Sequence, residues 1–158
     1  MKISGVLLVM VLLCSCQAAP KGEFGTVTRV TSGQTIEVRV NSQIQKIGLL
    51  GLEAPDYRQQ PWANQAKQRL QALVSGKTVR LEFALSSASG YRLASVWIER
   101  TLLNEQLIQE GLVLARSRSS PYRDRLDHAQ EQARLLGLGI WNPAQPLRQT
   151  PTEFRAQQ

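Results

Sequence analysis

Two acidic residues set three apart, Glu53 and Asp56, flank Ala54-Pro55 in the run Leu49-Leu50-Gly51-Leu52-Glu53-Ala54-Pro55-Asp56. Upstream, Val30-Thr31-Ser32-Gly33-Gln34-Thr35-Ile36 carries an amide between hydroxyls. Carboxylates are the first ligands a hard cation takes, with amide and backbone oxygens behind them. A carboxylate near a water also serves as a general base. Arginine supplies the complementary chemistry, a planar fork that meets phosphate oxygens two at a time. Plain readings stand beside these: Glu53 as a solvated residue at a strand end, Asp56 as a turn residue after Pro55. The single histidine, His128, is expected on a helix surface, and Trp62, Trp97 and Trp141 in packing roles. No Cys/His cluster, glycine-rich phosphate loop or Ser/His/Asp set is present in the sequence.

The elements that must position these groups follow from periodicity. Residues 24–30 read as a strand, and Ser32-Gly33 turns the chain. Ile36, Val38 and Val40 alternate with Glu37 and Arg39, the two-residue period of a half-buried strand. Asn41-Ser42 makes a hairpin turn into a third strand, 44–52. Pro61 opens a helix whose apolar face is Ala66, Leu70, Leu73 and Val74, and Gly76 ends it. Strands follow at 79–83 and 93–98. Asn104 is expected to cap a second helix that stops at Gly111, and a third begins at Ser120-Pro121. After Pro143 the tail is polar and aperiodic and reads as mobile. Five strands and three helices make an α+β chain. Such strands can close as a Greek-key OB-fold barrel, whose face commonly meets oligonucleotides; the pattern alone leaves other α+β arrangements open.

The chain has 158 residues and a net charge of +7. A basic surface favours polyanions such as nucleic acid, anionic lipid or acidic polysaccharide, although a moderately basic protein need bind nothing in particular. Residues 1–15 read as a leader: Lys2 supplies a positive end, and the apolar run 6–13 is shorter than the roughly 20 residues a spanning helix needs. Leu13-Cys14-Ser15-Cys16 is similar to a bacterial lipobox, with Cys16 as the lipidated first residue of the mature chain; ordinary cleavage near Ala18 or Ala19 is the alternative. Residues 16–23 form a tether, 24–142 the domain, and 143–158 the tail. No cysteine follows Cys16, so no disulfide framework is available to the domain.

The two quoted segments, the helix near Asn104 and the ending Gly139-Ile140-Trp141 resemble the staphylococcal nuclease (thermonuclease-like) family over about residues 25–141. The spacing from Thr35 to Glu53 matches without a gap. The resemblance implies an OB-fold barrel that cuts DNA or RNA phosphodiesters with one calcium ion, which polarises the phosphate beside a water nucleophile. Carried onto this chain, the first metal carboxylate falls at Gln34, whose amide oxygen brings no charge. The second falls at Glu53, with the Ala54 carbonyl beside it. The base position is Asp56. The family's first arginine falls at Gly48, and Lys46, two residues earlier on the same side of its strand, is the partial substitute. Its second arginine falls at Tyr91 without a gap and at Arg92 with one deletion, and Arg92 is taken as the phosphate contact. The phosphate-binding tyrosines are replaced by Arg116-Ser117-Arg118-Ser119, which puts Arg116 and Arg118 against nucleic acid. Placement errors of about 1 Å cost on the order of a hundredfold in rate. The resemblance therefore implies hydrolysis that is weak or lost. Alternatives are a non-catalytic nucleic-acid or polyanion binder and an envelope lipoprotein serving as an interaction module. An exported monomer, anchored to a membrane through Cys16 or secreted, is expected.

Overall fold

A computed structural model describes residues 22–88 and 90–158. The leader, Cys16 and the tether up to Lys21 lie outside the described residues. Chain order is β1 (Glu23–Ser32), β2 (Thr35–Val40), β3 (Gln43–Leu49), β4 (Leu52–Glu53), α1 (Trp62–Val74), β5 (Thr78–Ala88), β6 (Tyr91–Ile98), β7 (Thr101–Leu102), α2 (Leu103–Gln109), β8 (Leu114–Ala115), α3 (Arg123–Leu135) and α4 (Pro151–Ala156).

The strand order β3-β2-β1-β5-β6 closes on itself through a parallel pairing of β3 with β6, Gly48 opposite Leu93. The other four pairings are antiparallel. The result is the expected five-stranded OB-like barrel in an α+β chain. Alternation decides which side chains fill it: Ile36, Val38 and Val40 from β2 are buried, as are Ile47 and Leu49 from β3 and Val79 and Leu81 from β5. The face of α1 is Ala66, Leu70 and Val74, and Leu103, Leu107 and Ile108 of α2 join the same core. Each fully buried Ile or Leu contributes about 1.5–3 kcal/mol. Asn41 and Ser42, at φ 47° and 66°, form the β2–β3 turn, the paired positive φ that suits a tight hairpin.

Three differences from the expected elements matter. Asn104 is not a cap: Leu102 precedes α2, and Asn104 lies buried in its first turn. Its Oδ1 accepts from Val96 N at 2.8 Å, and its Nδ2 donates to Leu50 O at 2.8 Å and Ala94 O at 3.3 Å. A side chain able both to donate and to accept thus fastens α2 to the barrel where β3 ends. Helix α3 begins at Arg123, after a turn through Ser120-Pro121. The stretch after Pro143 carries a fourth helix, α4, where none was expected. It has its own local signal: Thr150 and Glu153 form a reciprocal capping box, with Pro151 at the first helical position.

Candidate functional site

Glu53 sits on β4, a two-residue strand that leaves the barrel immediately after β3. Gly51 permits this exit. Its φ is +81°, and a Cβ there would lie 2.7 Å from Leu126 Cδ1, so neither the backbone nor the space admits a side chain. Strand β4 pairs with β8, Glu53 opposite Leu114, and Arg116 N donates to Gly51 O at 2.8 Å. The pairing brings the Arg116 side chain back over Glu53.

The Glu53 carboxylate is buried, 7% exposed, and both its oxygens are occupied. Arg116 Nε donates to Oε2 at 2.7 Å. Thr152 Oγ1 donates to Oε1 at 2.8 Å, and Arg155 Nη2 donates to the same oxygen. Burial opposes ionisation of this carboxyl. The hydrogen bonds from Thr152, Arg116 and Arg155 outweigh it and hold the group below the usual carboxylate range.

Gln34 is brought to the same place, and its oxygen is also spent: Ala54 N donates to Gln34 Oε1 at 2.5 Å. Asp56 follows in the loop, where its Oδ1 accepts from Arg58 N at 3.2 Å and Arg58 Nε at 2.9 Å. The hydrogen bond from Arg58 is the main reason its carboxyl is held low. Arg58 Nη1 in turn donates to Gln158 Oε1 at 2.6 Å, and its guanidinium lies 5.1 Å from the Phe154 ring centre. Both candidate acids therefore connect to the C-terminal segment.

At Gly48, where the resemblance would put an arginine, an aromatic ring fills the space beside the backbone. A Cβ on Gly48 would lie 2.6 Å from Tyr91 Cε2 and 2.8 Å from Leu93 Cδ2. Lys46 is exposed, with its Nζ 5.4 Å from the centre of the same Tyr91 ring. Arg92 alternates away from Tyr91 along β6. Its guanidinium lies 3.3 Å from the Phe83 ring centre and reaches Gln45 Oε1 at 3.3 Å and Glu23 at 3.6 Å. Arg118 is exposed and lines a shallow cleft of about 630 Å³ with Leu50, Glu82, Phe83 and Pro121. Of the residues expected at the site, Glu53, Gln34, Asp56 and Arg116 come together; contacts with that group are not among those Arg92, Lys46 and Arg118 make. His128 is exposed and Trp97 is buried against Tyr122, as expected.

Sequence reasoning missed Arg155, Thr152 and Arg58. The Thr-Pro-Thr-Glu run announces a helix start, but nothing local to it points to Glu53.

The oxygen donors do not suit a divalent ion as they stand. Among the described residues no group of three or more His, Cys, Asp or Glu side chains could hold one. The Glu53 carboxylate already has two guanidiniums against it, Asp56 is paired with Arg58, and the neighbouring amide is neutral and engaged.

The profile of a family described as Staphylococcal nuclease homologue matches residues 46–143, which include Glu53, Asp56, Arg92, Arg116 and Arg118. Gln34, Thr152 and Arg155 lie outside the match. A thermonuclease of Staphylococcus hyicus is 30% identical over 125 residues, covering 73% of this chain and 74% of that protein. A thermonuclease of Staphylococcus intermedius is 29% identical over 130 residues, 77% of each chain. An uncharacterized endonuclease of Haemophilus influenzae is 26% identical over 158 residues, 99% of this chain and 85% of that one. With a matching profile over more than half its length and a barrel of the expected topology, the chain belongs to the staphylococcal nuclease family.

Proposed function

We propose that this protein is an exported, membrane-tethered member of the family that binds nucleic acid and hydrolyses it weakly or not at all. The observation that carries this reading is the state of Glu53. The carboxylate expected to meet a calcium ion is instead satisfied by Thr152, Arg116 and Arg155. The absence of a side chain at Gly48 supports it further, because phosphoryl transfer relies on a guanidinium placed where charge develops. What the fold keeps is a basic surface. Arg118 is exposed and, among the described residues, has no hydrogen-bond or ion-pair partner, which suits it to a phosphate. The cationic excess of the full chain, +7 with Lys2 of the leader included, supports binding that is driven by release of counterions from the nucleic acid.

The test uses single-stranded DNA and RNA, with calcium, magnesium or manganese and a chelator control. Salt-sensitive binding that persists in chelator, with little or no release of acid-soluble nucleotides, is the expected result. Rapid metal-dependent digestion that is lost in Glu53→Ala would return the protein to the active nucleases. Tethering rests on the lipobox-like run ending at Cys16. Cys16→Ala is expected to move the protein from the membrane fraction to the soluble one; an unchanged membrane fraction would remove the anchor from the proposal.

A further inference from the structure

We infer that the chain carries its own cation for this site: the guanidinium of Arg155, delivered by α4, sits where a divalent ion would meet Glu53 and closes the site to metal. The inference rests on Glu53 being the family's carboxylate position and is independent of nucleic-acid binding.

A buried carboxylate needs a charge partner and donors for its lone pairs. In this chain two of the three donors come from one helix of six residues. Thr152 and Arg155 are three apart on α4, a spacing that puts both on one helix face, and both address Oε1 of Glu53. Arg155 also belongs to the last turn of α4, where a cation is favoured by the helix dipole. The segments flanking the helix are held on both sides. Gln59 Nε2 donates to Gln149 O at 2.9 Å, Trp62 Nε1 to Gln145 O at 3.3 Å, and Arg58 Nη1 to Gln158 Oε1 at 2.6 Å. Thr152 Oγ1 also accepts from Arg116 Nη2 at 3.0 Å, so the second guanidinium and α4 share one network.

The charge count explains why an internal cation suffices. With Gln34 neutral, one carboxylate remains in the pocket, and Asp56 is paired to Arg58. Two guanidiniums on Glu53 leave no negative excess to attract a divalent ion. A metal can reach Glu53 only by displacing Arg155 and, with it, the contacts of α4.

Thermal unfolding of the full chain with and without millimolar calcium chloride tests this, together with hydrogen exchange across Pro151–Ala156. Wild type is expected to show no calcium-dependent change in midpoint. Arg155→Ala lowers the midpoint by a few degrees and speeds exchange in α4; combined with Gln34→Asp, which supplies a second carboxylate, it gains a calcium-dependent rise that Gln34→Asp with Arg155 intact lacks. The rise disappears when Glu53→Gln is added, and is absent from Gln34→Asp combined with Arg155→Lys, which keeps the charge. If Arg155→Ala fails to fold, Arg155→Gln removes the charge while keeping an amide donor, and the same comparison applies. A calcium response of Gln34→Asp that is equal with Arg155 intact and with Arg155 neutralised, or absent from both, overturns the inference.

Discussion

Thr152 Oγ1 lies 2.8 Å from Glu53 Oε1, joining two residues 99 positions apart in the chain. The bond couples the C-terminal helix to the strand that leaves the barrel, so the acidity of Glu53 and the docking of α4 are one property. The carboxylate is held low by donors that α4 supplies, and α4 is held in place by the charge it covers.

Acid should therefore loosen this part of the molecule. The folded-state pKa of Glu53 is depressed below its unfolded value, so its stabilising contribution is present above the unfolded pKa, about 4.3. It is lost as pH falls through the lower folded value. Urea midpoints measured from neutral pH down to about pH 3 should fall more steeply in wild type than in Glu53→Gln. The difference between the two curves isolates this carboxyl from Asp56, Glu82 and Glu110, which are also held low. Parallel curves would show that Glu53 does not titrate with folding.

Asn104 is expected to be the most sensitive polar position of the core. It serves Val96, Leu50 and Ala94 while only 1% exposed. Asn104→Ala takes the Asn104 partner from Val96 N on β6 and from Leu50 O just after β3, while Ala94 O keeps its bond from Leu50 N, and each buried group left unpaired costs about 1–3 kcal/mol. A loss of roughly 3 kcal/mol in chemical unfolding is predicted; a loss below about 1 kcal/mol would mean that water or a shift of α2 replaces those bonds.

An arginine at Gly48 should not fit without a second change. Gly48→Arg drives its Cβ into the Tyr91 ring, and overpacking of this kind typically costs about 1–3 kcal/mol. Tyr91→Ala opens the space, so Gly48→Arg with Tyr91→Ala should be more stable than the sum of the two single changes predicts. Simple additivity in a double-mutant cycle would show that the two positions do not compete.

Arg118 is predicted to touch phosphate without reading bases. Arg118→Ala should weaken oligonucleotide binding across sequences and reduce the slope of log affinity against log salt by about 1. An unaltered slope in titrations over several salt concentrations would place the interface elsewhere.

Much of the fold was legible because it is written locally. The alternation through Ile36, Val38 and Val40 defines a strand with one buried face, and Ala66, Leu70 and Val74 at helical spacing define the inner side of α1. The stretch from Thr35 to Glu53 is spanned by the β2–β3 hairpin, whose pairing runs Thr35 opposite Gly48 to Val40 opposite Gln43. Asn104 was misread for a physical reason: a residue type favoured at helix starts stands near one, and the bonds that pull it inward come from Leu50, Ala94 and Val96, which local sequence does not bring near.

The sequence by itself determined the barrel strands, the first three helices and the family, and it set a neutral amide at Gln34 and a glycine at Gly48. Tertiary structure alone decided what surrounds Glu53. A capping box can specify that α4 forms, but not where it docks, because docking depends on contacts with Gln59, Trp62 and Arg58 far upstream. Only the folded chain puts Arg155 on Glu53, 102 positions away, since a buried charge recruits its partner by proximity in space and leaves no periodic mark along the chain.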